Sequence, residues 1–375
     1  MEGLGLHNEV EFGDRKLLVE SVYNGETERI VCSVFDDGRL LEKREWRVPP
    51  DLSAAELRSR LEEYHRRVSA DYEILQYIQK KIRTVNHPAS NNRLGLVFLA
   101  RGLYREALRE FTVAIKGDPA QPEYYGNAAR TLLALGKPGE ALTSVEEGLL
   151  RGPEFADLHN LKGLILHQLG RYAEATKAFQ ASIQRNPKYA EAHLNLAASL
   201  LASARANPDD PELPPVLTRI RKALASVRQA VELAPSLKPE HAEEVFEAVK
   251  LQDLEKAERL VERLRSELPS PERFLYDHEF YLQFMYGGKG ADEEALASYI
   301  QWLQDELRRH PGYADLRNNL GVAYLIQARN LFVKAIDEFR EAVRINPNFE
   351  RAARNLRLAQ NDSKGFLILL RAILK

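Results

Sequence analysis

Prolines recur along this chain on a fixed spacing. Pro119, Pro153 and Pro187 stand 34 residues apart, and so do Pro235 and Pro269. The other steps are 48, 42 and 36 residues, ending at Pro311 and Pro347. Each is one 34-residue period with a short insertion. A chain with such a period builds one supersecondary unit per repeat and stacks the units, because no single unit buries its apolar face alone. Most of the 375 residues are therefore not free to form one central core.

Other residues keep the same register. Ala107, Ala141, Ala175, Ala223, Ala257 and Ala335 each lie 12 before a proline, and Phe111, Phe179 and Phe339 lie 8 before. Gly95, Ala129 and Gly163 lie 24 before, and Gly102, Gly136 and Gly170 mark a turn. Small residues in this pattern suit two helices crossing closely, and the proline stops the second helix. The run Leu94-Gly95, Phe98, Gly102, Tyr104, Ala107, Phe111, Ala114 and Pro119 resembles the tetratricopeptide repeat, a 34-residue helix–turn–helix unit.

The resemblance implies a mainly α fold: a right-handed α-solenoid of about seven such units. It would span 87–348, with units near 88–121, 122–155, 156–189, 190–237, 238–271, 272–313 and 314–349, and capping helices at 349–375. Unit four is interrupted by Ala206–Pro215, read either as a surface insertion or as a partner-contacting loop. Units five and six match poorly. Unit six holds Phe274, Tyr276, Phe280, Tyr281, Phe284 and Tyr286, read as packing core, then the turn Gly287-Gly288-Lys289-Gly290. That turn lacks the spacing of a phosphate-binding loop. Unit seven returns to the pattern with Leu320-Gly321, Tyr324, Ala335, Phe339, Ala342 and Pro347.

Residues 1–50 differ in kind. Leu17–Tyr23 and Ile30–Phe35 are rich in β-formers, Asp36-Asp37-Gly38 signals a hairpin, and Val10–Phe12 suggests a further short strand. A small antiparallel sheet needs support, and the stretch 51–86 supplies a long helix from about 53 to 83. Ser53 and Glu56 form a capping box there.

Composition narrows function. A net charge of -2 argues against a nucleic-acid backbone as main partner. One cysteine excludes a disulfide framework, and Cys32 reads as a small buried strand residue. No signal peptide or membrane span is visible, so a cytoplasmic location and no stable membrane insertion are expected. The end, Phe366–Lys375, is unusually apolar for a cap. It either folds back or makes a homo-oligomer contact. His159, His193 and His241 share the fourth position of their units, about a helix diameter apart, too far to share a metal. No cofactor, metal or catalytic motif is expected.

In the family, helix A of each unit lines a concave groove. Its sixth position holds Asn127, Asn195 and Asn319, amides able to grip a peptide backbone. Leu96, Leu99, Leu133, Leu164 and Leu201 neighbour them, and His167 reads as facing the groove. The expected function is a non-enzymatic scaffold binding a protein or peptide there. The alternatives are self-assembly through the C-terminal helix, an enzyme site in residues 1–85, or a groove filled by the chain itself. A two-carboxylate clamp for chaperone tails is not expected, since only Asn127 of Asn92, Leu96, Asn127, Asp157 and Leu161 fits it.

Overall fold

The computed structural model describes residues 5–49, 52–85, 87–268, 275–287, 293–309 and 311–374. Phe274, Gly288-Lys289-Gly290 and the side chains of Tyr276 and Phe366–Lys375 lie outside the described residues. The chain divides into two compact units, Met1–Glu279 and Phe280–Lys375.

The first unit opens with a four-stranded antiparallel meander: β1 (Gly5–Phe12), β2 (Arg15–Asn24), β3 (Arg29–Asp36) and β4 (Arg39–Arg47), paired in chain order. The β3–β4 turn places Asp37 at φ 49 and Gly38 at φ 78. Two left-handed residues in succession match the twist of a tight hairpin. Alternate side chains (Val10, Phe12, Leu17, Val19, Ile30, Cys32, Val34) are buried, as a sheet with one covered face requires. The cover is α1 (Ala54–Val85), through Leu57, Leu61, Val68, Tyr72, Leu75, Ile78 and Ile82. Its capping box forms: the Glu56 N–H donates to Ser53 Oγ at 3.3 Å, and the Ser53 N–H donates to Glu56 Oε2 at 2.8 Å.

The sheet also closes the start of the solenoid. Phe12 meets Tyr72 of α1 and Phe98 of the next helix edge-on, with ring centroids 6.2 and 5.7 Å apart. Truncating such a core ring costs about 3–5 kcal/mol.

Three regular hairpins follow: α2 (Pro88–Ala100) with α3 (Tyr104–Gly117), α4 (Pro122–Ala134) with α5 (Pro138–Arg151), and α6 (Ala156–Gln168) with α7 (Tyr172–Arg185). Gly102, Gly136 and Gly170 turn the chain at φ 70, 73 and 74, where a side chain would be strained. A recurring clasp fixes the proline corners. Pro119 O accepts Tyr125 Oη at 3.2 Å and Arg151 Nε at 2.7 Å. Pro153 O contacts His159 Nε2 at 2.9 Å and accepts Arg185 Nε at 2.6 Å, while His193 Nε2 lies 3.1 Å from Pro187 O. His159 and His193 are thus corner clasps, whereas His241 pairs through Nδ1 with Glu267.

In unit four, α8 (Ala190–Ala206) runs straight through the turn position and α9 (Val216–Leu233) starts late. Arg219, fully buried, donates to Ser203 O at 2.8 Å, to Asn207 O at 2.9 Å and to Pro208 O. Its guanidinium takes the carbonyls that a helix end leaves unsatisfied. The insertion is therefore anchored at its root. Unit five is α10 (Pro239–Lys250) and α11 (Leu254–Ser266), turned by Gln252 at φ 61.

α12 (Leu275–Met285) crosses from the first unit into the second, which continues with α13 (Glu293–Arg309), α14 (Ala314–Ile345) and α15 (Glu350–Leu374). Leu296, Tyr299, Leu303, Leu316, Ala323 and Ile326 form its core, with Phe280 stacked on Tyr299 at 3.8 Å. Here the expected helix–turn–helix of unit seven is corrected. Residues 314–345 are one 32-residue helix, and the helix formers Gln327, Ala328 and Arg329 carry it through the turn position.

Candidate binding groove

The inner helices α2, α4, α6 and α8 share a face, and the amides on it are tied to one another. Asn127 Nδ2 donates to Asn92 Oδ1 at 2.9 Å, and its Oδ1 accepts from Arg130 at 3.0 Å. Asn195 Nδ2 donates to Asn160 Oδ1 at 2.9 Å, and its Oδ1 accepts from Arg265 at 3.2 Å. All four asparagines are buried. The amides expected to hold a peptide thus spend most of their bonding capacity inside the solenoid. Asn160 escaped the sequence reading because it stands one place earlier in its helix than Asn127 and Asn195. Its signal was the spacing of Asn92, Asn127, Asn160 and Asn195 by 35, 33 and 35 residues.

The face is not uniformly open. α11 lies across α8. Arg205 of α8 makes a two-pronged pair with Glu258 of α11, at 2.8 and 3.0 Å, and Val261 and Leu264 of α11 are buried in one cluster with Leu194, Ala198 and Leu201. Every residue from Ala192 to Ala204 is buried in consequence. Leu201, expected to line the groove, is core. His167 is half-buried with its ring edge-on to Tyr172 at 5.4 Å, and burial pulls its pKa below the ordinary imidazole value. Its buried Nδ1 has no hydrogen-bond partner.

The opposite end is covered by the first turn of α12. Glu279 Oε1 accepts from Arg101 at 2.6 and 3.0 Å, and the Arg101 guanidinium lies 5.1 Å from the Tyr72 ring and 3.7 Å from Glu42. Glu42 also accepts from Tyr72 Oη at 2.8 Å and pairs with Arg44 at 2.7 Å, and Arg44 pairs with Asp71 at 2.6 Å. This half-buried ionic network joins sheet, α1, α2 and α12. His278, next to Glu279, is pushed down to about 4 by burial and by the nearby Arg93 charge.

Between these covers a short apolar strip remains. Leu96 and Leu99 of α2, Leu133 of α4 and Leu164 of α6 are half-buried. Arg130 and Asp157, 3.7 Å apart and each more than 40% exposed, stand at its edge. Asn319 belongs to the second unit, half-buried on α14.

One polar cluster is enclosed between the sheet and α1. Ser21 Oγ lies 2.8 Å from Cys32 Sγ and 2.9 Å from His65 Nδ1 under the sheet. Ser21 is fully buried, and burial raises the Cys32 thiol and lowers the imidazole. Among the described residues, no group of three or more His, Cys, Asp or Glu is placed to hold a metal, and no helix is long and apolar enough to cross a membrane.

Tetratricopeptide-repeat family models match residues 127–190, 170–206 and 293–357. Over those residues the chain carries tetratricopeptide repeats. Among solved structures it is similar to MamA, at 17% identity over 46% of this chain and 93% of that one, with a TM-score of 0.35. It is similar to YrrB, described as a TPR protein with an unusual peptide-binding site, at 17% identity over 54% and 98%, TM-score 0.36. PilF of Pseudomonas aeruginosa is similar at 18% identity over 61% and 95%, TM-score 0.37. No curated protein matches by sequence.

Proposed function

We propose that the chain is a protein-interaction scaffold that receives a short apolar segment of a protein partner in the strip over α2, α4 and α6. One observation supports this reading: Leu96, Leu99, Leu133 and Leu164, all on inner helices, stay half-buried, while Leu201 of α8 is closed into the core. Water over such a strip is displaced favourably by apolar side chains, at about 25 cal/mol per Å² removed from solvent. The strip is short, so the segment it fits is two or three helical turns or an extended stretch of similar reach. Arg130 and Asp157 offer one charge of each sign at the edge, which orients a bound segment more than it strengthens binding. The asparagines contribute by stiffening the floor of the strip.

The test is selection from a displayed library of short apolar and amphipathic peptides. Enrichment by the full chain should vanish for Leu133→Glu combined with Leu164→Glu. It should persist for Leu150→Glu, a residue 78% exposed on α5. Equal enrichment by all three proteins would place binding elsewhere.

A further inference from the structure

In units one and three, the two helices of a hairpin touch at one point. A methyl group on Gly95 would fall 2.6 Å from the Phe111 ring, and one on Gly163 would fall 2.5 Å from the Phe179 ring. α14 carries both halves of that contact. Gly321 is the eighth residue of α14, as Gly95 is of α2 and Gly163 of α6. Phe339 stands 8 residues before Pro347, as Phe111 and Phe179 stand before their prolines.

Yet Gly321 and Phe339 sit on one unbroken helix. At 1.5 Å per residue they are about 27 Å apart along its axis, so neither reaches the other. Nothing lies within 4 Å of the place a Cβ on Gly321 would occupy. The same face continues at helical spacing through Tyr324, Ala328 and Leu331, and Tyr324 and Leu331 are 44% and 59% exposed.

We infer that a second copy of this chain covers that face. The α14 helices of two chains pair antiparallel, and Gly321 of each packs against Phe339 of the other. The occupant is dictated by the repeat itself: a glycine at this position is met by the phenylalanine of the following helix, and here that phenylalanine is within reach only on another molecule. The symmetry closes. The midpoint between Gly321 and Phe339 is Asn330, which stands 17 before Pro347, as the turn residue Gly102 stands before Pro119. A twofold axis at the level of Asn330, passing the opposite side of the helix from that buried residue, therefore replaces the missing turn, and the two chains exchange the second half of α14 together with α15. Such an exchange reuses contacts that the repeat already makes within one chain.

Three full-length proteins test this. The wild type should sediment as a dimer. Gly321→Cys combined with Phe339→Cys should give a disulfide-linked dimer on non-reducing gels, since no bond within one chain can span that helix and Cys32 is buried. A Gly-Asn-Gly insertion after Arg329 should restore a hairpin and yield a monomer of undiminished helix content. Should the double cysteine variant not fold, a spin label on Leu331→Cys, an exposed site, gives a second measurement. Helices packed about 8–10 Å apart hold the two labels within roughly 20 Å. A wild type that stays monomeric, a dimer whose cysteines do not link, or labels with no short interchain distance would each overturn the exchange. An interface through the apolar run Phe366–Lys375 would be one such outcome.

Discussion

α4 and α8 occupy the same place in their repeats and end in opposite environments. On α4, Arg130 and Ala134 face solvent and Leu133 is half-buried. On α8, the equivalent Ala198, Leu201 and Ala202 are buried beneath α11. The comparison teaches that repeat register decides which side of a helix faces the concave surface, and nothing more. Whether that side meets water depends on a helix more than fifty residues away, which crosses the solenoid because Glu258 can pair with Arg205 and Val261 and Leu264 are apolar.

The largest effect should come from lifting that cover. Val261→Asp with Leu264→Asp places two carboxylates in an apolar contact and should cost more than about 4 kcal/mol, read by chemical denaturation. Amide hydrogen exchange should then accelerate on the Ala198–Ala202 face of α8 and leave α4 unchanged. Continued protection of α8 would break the comparison.

The cover at the other end should answer to pH. His278 is held near about 4 in the folded chain, while an unfolded imidazole titrates near 6.5. The unfolded state therefore binds the proton first as pH falls. Stability present at neutral pH declines from about pH 6.5 down to about 4, by up to about 3 kcal/mol. His278→Gln should flatten the denaturation profile across that window. An unaltered slope would show that the covered end does not depend on this histidine.

The buried amides come next. Asn127→Ala and Asn195→Ala should each cost about 1–3 kcal/mol, because each strands a hydrogen-bond partner. Asn195 should cost more, since its arginine partner Arg265 comes from the covering helix, whereas the Arg130 partner of Asn127 lies on the same helix. Equal losses, measured by thermal unfolding, would mean that α11 adds nothing at this position. The smallest effect belongs to the open strip. Leu133→Glu, at a half-buried leucine, should cost about 0.5–1 kcal/mol while removing peptide enrichment.

Much of this architecture was legible from residue spacing. Gly102, Gly136 and Gly170 announced turns because left-handed backbone excludes most side chains. Cys32 was readable as strand core from its alternating neighbours, and Ser53 with Glu56 as a helix start. The groove was less legible. Asn127 and Asn195 looked available because a single sequence shows that a residue faces inward but not what it bonds to. Their partners Asn92 and Asn160 lie 35 residues away, and Arg265 lies 70 residues from Asn195. Unit seven kept its alanine, phenylalanine and proline marks, yet its helix runs unbroken through the turn position, which those marks did not reveal.

Local chemistry by itself therefore determined the repeat, its helices and most of its turns, since these follow from side-chain sterics and from hydrogen bonds within a few residues. Tertiary structure alone decided which stretch of the inner face stayed open. That outcome rests on contacts between α11 and α8 and between α12 and α2, where Val261 and Leu264 leave water against apolar partners far along the chain and the cost of burying Arg101 is offset by Glu279 and Glu42.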